Sequence, residues 1–207
     1  MRKVAVVTGC ASGIGAAVFK DFVKTKIITI GIDIHTDGIK EKIASFGDDA
    51  NGFAFGFHCD IGNSESVKSC FKLIEDQFGV VNILVNCAGI GRKAEILDDN
   101  EDSFDKMNQV IDVNFRGVLQ CTREAFRLMK KSDAHGIIIN INSVAGHKTP
   151  LLDVSLNVYG PTKYAITGLN EAIRHELLRA GNKKIRISSI SPGIVDSDFI
   201  RASGYTN

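Results

Sequence analysis

Short apolar runs alternate with amphipathic stretches along the whole chain, and this alternation restricts the possible folds more than any other feature. Residues 4–7 form an apolar run that stops at Thr8-Gly9, the pattern of a short buried strand. Residues 13–24 place Ile14, Ala17, Val18 and Phe22 on one helical face. The β-branched run 27–34 reads as a second strand, 36–46 as a helix stopped by Gly47, and 53–59 as a third strand. A helix over 64–78 takes Ser64 as its cap and Val67, Phe71, Ile74 and Phe78 as its apolar stripe. A fourth strand covers 81–85, a loop covers 89–100, and a long helix covers 101–131. A fifth strand at 136–141, a helix at 157–179 stopped by Gly181, and a sixth strand at 185–190 complete the order. Strands that are apolar on both faces and separated by helices make a parallel sheet covered on both sides. Right-handed crossovers then predict a doubly wound α/β fold of Rossmann type, six-stranded, in a single domain over residues 1–207.

Charge and cysteine usage exclude several functions. Lys and Arg number 25 against 24 Asp and Glu, a net charge of +1, so no basic excess exists to drive nucleic-acid or membrane-surface binding. The initial apolar run is too short for a signal peptide, and no stretch is long enough to span a bilayer. Five scattered cysteines without a Cys-x-x-Cys pair offer no metal site and suit a reducing, cytoplasmic compartment.

The turn after the first strand, Thr8-Gly9-Cys10-Ala11-Ser12-Gly13-Ile14-Gly15, has the composition of a phosphate cradle. Gly9, Gly13 and Gly15 let the backbone turn tightly and approach a pyrophosphate, which the free N–H groups of the next helix bind. No Gly-Lys-Ser/Thr follows, so the turn is not a P-loop. Asp33 ends the second strand, where a carboxylate accepts hydrogen bonds from the adenosine ribose and repels a 2′-phosphate. No basic residue lies in the turn, and His35 is the one candidate beside Asp33; NAD(H) is therefore expected over NADP(H). Asp33 also suits a plain helix-capping role. Asp60, after the third strand, suits either the adenine amino group or a simple loop.

Tyr159 and Lys163 stand four apart on one helix, so a phenol and an ammonium share a face. Ser143 follows the fifth strand, at the carboxyl edge where open α/β sheets bind ligands, and Asn114 lies in the preceding long helix. With Asn86-Cys87-Ala88-Gly89 and Pro192-Gly193, these motifs resemble the short-chain dehydrogenase/reductase family over essentially the whole chain. Within it the chain is most similar to the farnesol dehydrogenase-like (dehydrogenase/reductase member 11-like) group, through residues 185–193 and 143–147. The resemblance implies hydride transfer between a nicotinamide cofactor and a small apolar alcohol or carbonyl such as farnesol. It makes Tyr159 the proton-transfer group, Lys163 its electrostatic partner and a ribose ligand, Ser143 the donor to the substrate oxygen, and Asn114 the holder of a proton-relay water. It places Asn86, Ala88 and Gly89 beside the adenosine ribose. Pro192, Gly193, Val195 and Ser197 lie along the nicotinamide, with Ser197 in the place of the usual Thr. Cys87 replaces the usual second Asn and reads as a small buried residue.

Typical family members continue past the Pro-Gly loop into substrate-covering helices and a seventh strand. This chain is short there, so a six-stranded sheet with an exposed sixth strand is expected. Two functions follow: an active dehydrogenase/reductase, or a non-catalytic dinucleotide-binding or dimer-partner protein. A third explanation of the length is that the chain is a fragment of a longer enzyme. The family also implies a homodimer built on the long helix and the 157–179 helix. Val144, His147, Leu151, Val154 and Leu156 are candidates for an apolar substrate pocket or for loop packing.

Overall fold

The computed structural model describes residues 2–149 and 155–204. Leu151 and Val154 therefore lie outside the described residues. Six strands, β1 (Val4–Thr8), β2 (Ile28–Asp33), β3 (Ala54–His58), β4 (Ile83–Asn86), β5 (Gly136–Ile141) and β6 (Ile185–Ile190), pair in the order β3-β2-β1-β4-β5-β6. Every pairing is parallel; Val6, for example, sits opposite Ile30 on one side and Leu84 on the other. The strand order reverses between β1 and β4, which opens a crevice above their carboxyl ends. Among the described residues β6 forms one edge of the sheet, and the expected six-stranded doubly wound fold is the one observed.

The intervening helices are α1 (Gly13–Lys24), α2 (Thr36–Ser45), α3 (Ser64–Phe78), α4 (Glu101–Ile111), α5 (Val118–Lys131), α6 (Tyr159–Arg179) and a short α7 (Phe199–Ala202). Successive strand residues point to opposite faces, so each face needs its own helical cover. Val4, Val6, Ile30, Ile32, Leu84 and Ile138 pack beneath Phe71 and Ile74 of α3 and Leu128 and Met129 of α5. On the other face Val7 and Val85 pack with Phe19 and Val23 of α1 and Ile39 of α2. Burial of every β1 residue explains why that strand reads as an unbroken apolar run rather than an alternating one.

Three local details differ from the expectations. The cap of α3 is Asn63, not Ser64: the Asn63 side-chain Oδ1 accepts from the backbone N–H of Glu65 and Ser66, both at 3.0 Å, and Ser64 is the first helical residue. The long helix is not uniformly α-helical. A π segment, Asp112–Gly117, separates α4 from α5. Helix α6 starts at Tyr159, because Asn157 holds a left-handed φ of 37° that no α-helix accommodates. That late start places Pro161 in the first turn, where its missing N–H costs no hydrogen bond.

Candidate active site

The crevice is built from four loops at the carboxyl edge. In the first, Gly9 and Gly13 have φ of 67° and 53°, conformations that L side chains rarely adopt. The tightness is steric as well, since a Cβ on Gly9 would stand 2.8 Å from the Ala88 backbone and one on Gly15 2.1 Å from the Gly9 carbonyl. Thr8 fastens this turn to the loop after β4, its hydroxyl oxygen accepting from the N–H of Cys87 at 3.0 Å and of Ala88 at 2.9 Å. Ser12 precedes α1 with extended backbone and makes no side-chain cap, and no acidic residue occupies the first turn, which begins Gly13-Ile14-Gly15. The positive end of the α1 dipole is thus left to an anion.

The Asp33 carboxylate lies at the same edge, one oxygen accepting from Ala11 N–H and the other from His35 N–H, each at 3.0 Å. Asp60 accepts from Gly62 N–H at 2.9 Å within its own loop and is exposed. Returning after β6, the segment of Pro192, Gly193 and Val195 brings Ser197 over the cradle: a Cβ on Gly13 would lie 3.7 Å from the Ser197 Cβ. Nothing stands within 4 Å of a Cβ built on Gly193. An uncapped helix start, a carboxylate at the end of β2 and an open loop above them fit a dinucleotide. The Asn86 side chain turns away from this space. It is 1% exposed and donates to Asn140 at 2.7 Å and to Thr122 at 3.2 Å, so its part is to tie β4 to β5 and α5.

Tyr159 and Lys163 occupy the first turns of α6, facing the crevice. Lys163 is 6% exposed; its ammonium donates to the Ile141 carbonyl at 3.0 Å and stands 5.6 Å from the centre of the Tyr159 ring. Burial brings Lys163 down to about 8, with nearby Cys87 opposing the shift. Burial pushes the Tyr159 phenol above its ordinary value, and a hydrogen bond with Ser143 pulls it back. Ser143 also accepts from Ala145 N–H at 3.1 Å, capping the short turn Val144–Gly146. Gly89 borders the ammonium, and a Cβ there would lie 3.8 Å from it. Cys87 is an inert thiol, pushed up to about 12 by burial.

Asn114 sits within the π segment. Its side-chain oxygen accepts from Ile90 N–H at 2.8 Å, while its amide donates to the Ile90 carbonyl at 2.9 Å and to Thr162 at 3.3 Å. It therefore clamps the loop after β4 to the first turn of α6. Sequence reasoning named Thr8 and Asn86 but not their supporting roles, and it missed Asn140 and Asn170, which continue the chain of buried amides from Asn86, and Asn157. Two asparagines, Asn140 inside the apolar run of β5 and Asn142 just after it, were the available signal for the buried amides.

The short chain dehydrogenase family model matches residues 3–206. The chain is 37% identical over 201 residues to the farnesol dehydrogenase of Aedes aegypti, covering 97% of this chain and 80% of that protein. It is also 37% identical over 200 residues to the human dehydrogenase/reductase SDR family member 11, covering 95% of this chain and 75% of that one. A short chain dehydrogenase/reductase from Burkholderia phymatum, solved in complex with NAD, superposes with a TM-score of 0.87 at 27% identity, covering 97% of this chain and 69% of that one. The chain belongs to the short chain dehydrogenase family, a class of NAD(P)-dependent oxidoreductases.

Proposed function

We propose that the chain transfers hydride between a nicotinamide dinucleotide, NAD(H) in preference to NADP(H), and an apolar alcohol or its carbonyl. The carrying observation is buried Lys163 beneath a half-buried Tyr159 on one face of α6, with Ser143 against the phenol, beside a cradle that fits a dinucleotide. The backbone of Gly9, Ser12, Gly13, Ile14 and Gly15 holds the pyrophosphate, and Asp33 holds the adenosine ribose with Asp60, Ala88 and Gly89 around it, while the Asn86 side chain supports that loop from within the sheet. Pro192, Gly193, Val195 and Ser197 hold the carboxamide, and Tyr159 and Lys163 the second ribose. When bound, the dinucleotide supplies the hydride acceptor or donor.

The chain's own residues move the proton. In alcohol oxidation Tyr159 takes the hydroxyl proton, and in reduction it returns one. Bringing an ordinary phenol from about 10 to about 7 needs about 4 kcal/mol of anion stabilisation, and the desolvation of Tyr159 adds to that requirement. The Lys163 ammonium supplies part of it in a dry site. Ser143 donates to the substrate oxygen, and Asn114 holds the water through which Lys163 exchanges protons with solvent.

NAD preference follows from the Asp33 carboxylate, which repels a 2′-phosphate, and from a turn without basic residues. An isoprenoid alcohol such as farnesol is supported by the mosquito relative's name and by the exposed apolar side chains of Val144, Ile194 and Ile200 on segments flanking Tyr159. A groove lined by Ile111, Phe115, Val158, Pro161, Thr162 and Ala165, on the two helical regions that the family pairs, supports a homodimer. All five cysteines are free thiols, which favours a cytoplasmic setting. Among the described residues no helix is long and apolar enough to cross a membrane.

The test is steady-state turnover with a panel of apolar alcohols, including an isoprenoid alcohol, with each cofactor. Expected is a kcat/KM for NAD at least about tenfold that for NADP. Equal or reversed preference overturns the NAD assignment. Tight NADH binding without turnover of any alcohol or carbonyl overturns the enzyme assignment and leaves a dinucleotide-binding protein.

A further inference from the structure

Asn157 stands two residues before Tyr159 and belongs to none of the motifs above. Among the described residues three non-glycines have positive φ, and the other two, Lys26 and Asp133, lie just past the ends of α1 and α5. Asn157 instead precedes a helix, with φ of 37°, and is only 8% exposed. It is the first central residue of a turn closed by Tyr159 N–H donating to the Leu156 carbonyl at 2.9 Å. Such a position favours Gly, Asn or Asp, because their backbones tolerate the left-handed region. A glycine would serve the turn alone, so the amide side chain calls for a separate reason.

That reason lies in its contacts. The amide nitrogen donates to the Arg92 carbonyl at 2.7 Å and to the Ala94 carbonyl at 3.2 Å, and the amide oxygen accepts from Val158 N–H at 2.6 Å. The gripped segment is itself fastened to the far end of the chain, where Lys93 N–H donates to the Ser203 carbonyl at 3.0 Å. Ser203 directly follows α7, whose Phe199 ring packs 5.4 Å from the Tyr159 ring. The entry turn of α6, the loop after β4 and α7 thus meet around the phenol, and Asn157 ties the first to the second.

We infer that Asn157 is a positioning residue for proton transfer: its two donated bonds hold the Arg92–Ala94 segment, and through it α7, closed against Tyr159. This rests on the assignment of Tyr159 as the proton-transfer group. The Gly-rich pyrophosphate turn and Asp33 lie on other loops, so loosening this tie changes the chemical step far more than dinucleotide binding.

Two variants separate the tether from the turn. Asn157→Gly keeps the left-handed backbone and drops every side-chain bond. Asn157→Asp keeps the size and the bond from Val158 but sets a carboxylate against two carbonyls. Both are expected to lower kcat about tenfold or more, with KM for the dinucleotide within about twofold of wild type. A second readout needs no turnover: ultraviolet titration of the phenols, with Tyr159→Phe assigning the abnormal one. In Asn157→Gly that phenol is expected to titrate lower, towards its ordinary range, as water reaches it. Folded variants with wild-type kcat and an unmoved phenol titration overturn the inference. A wild type without hydride transfer but with a phenol that moves in Asn157→Gly overturns the assignment of function and leaves the tether standing.

Discussion

Lys163 carries a cost in the folded chain that its chemistry requires. A buried ammonium lacks the hydration it has in the unfolded chain, which brings the group from its ordinary 10.5 to about 8. Between these values the unfolded chain holds a proton that the folded chain has released, so stability rises with pH across that window by about 3 kcal/mol. Below pH 8 the whole penalty is present. Lys163→Met is expected to abolish that rise and to stabilise the ligand-free protein at pH 7 by about 1–3 kcal/mol, the lost bond to Ile141 offsetting part of the gain. Denaturant unfolding at several pH values checks this, and the same variant should show no turnover. Tyr159, Lys163 and Ser143 were legible in the sequence because helical spacing and position after a strand place them without knowledge of distant contacts. The supporting roles of Thr8 and Asn157 were not, because their bonds go to residues far along the chain whose approach only the folded sheet creates.

Among the elements, the π segment has the clearest local cause and consequence. Gly117 closes it, and a Cβ there would lie 2.8 Å from both the Ile61 carbonyl oxygen and the Ile61 side chain. The helix therefore passes the loop after β3 at backbone contact while Asn114, within the same segment, reaches Ile90 and Thr162. Gly117→Ala is expected to destabilise the fold by about 1–3 kcal/mol, since a backbone carbonyl cannot move aside as a side-chain tip can. Thermal unfolding measures the loss. A reduced kcat should accompany it as Asn114 shifts; a variant of wild-type stability and rate would count against the close packing. Hydrophobic periodicity located the six strands and the longer helices but not the four-residue α7, and it could not distinguish α from π turns, whose apolar faces differ by a single residue. Nor could it choose between adjacent capping residues such as Asn63 and Ser64, both of which have a suitable side-chain oxygen.

For the whole molecule, the order β3-β2-β1-β4-β5-β6 brings the Gly-rich turn, Asp33, Ser143 and the Pro192–Ser197 segment to one edge. Residues from both ends of the chain thus share one crevice. The alternation of strands and helices made this arrangement legible, because right-handed crossovers leave few other ways to connect six parallel strands. Substrate choice was not legible, since it depends on how apolar loops such as that of Val144 and His147 fold over the crevice. The proposed homodimer makes its own prediction. Ala165→Glu places a charge in the apolar groove on α6 and should shift sedimentation from dimer to monomer, whereas a wild-type monomer would contradict the pairing. The central claim is that Tyr159 transfers a proton beside a nicotinamide dinucleotide bound in this crevice. Comparing wild type with Tyr159→Phe, for NADH affinity and for turnover of an apolar alcohol, tests it most directly. The prediction is NADH affinity within about tenfold of wild type, the loss of one ribose contact, with turnover lowered at least about a hundredfold; turnover in Tyr159→Phe equal to wild type would contradict it.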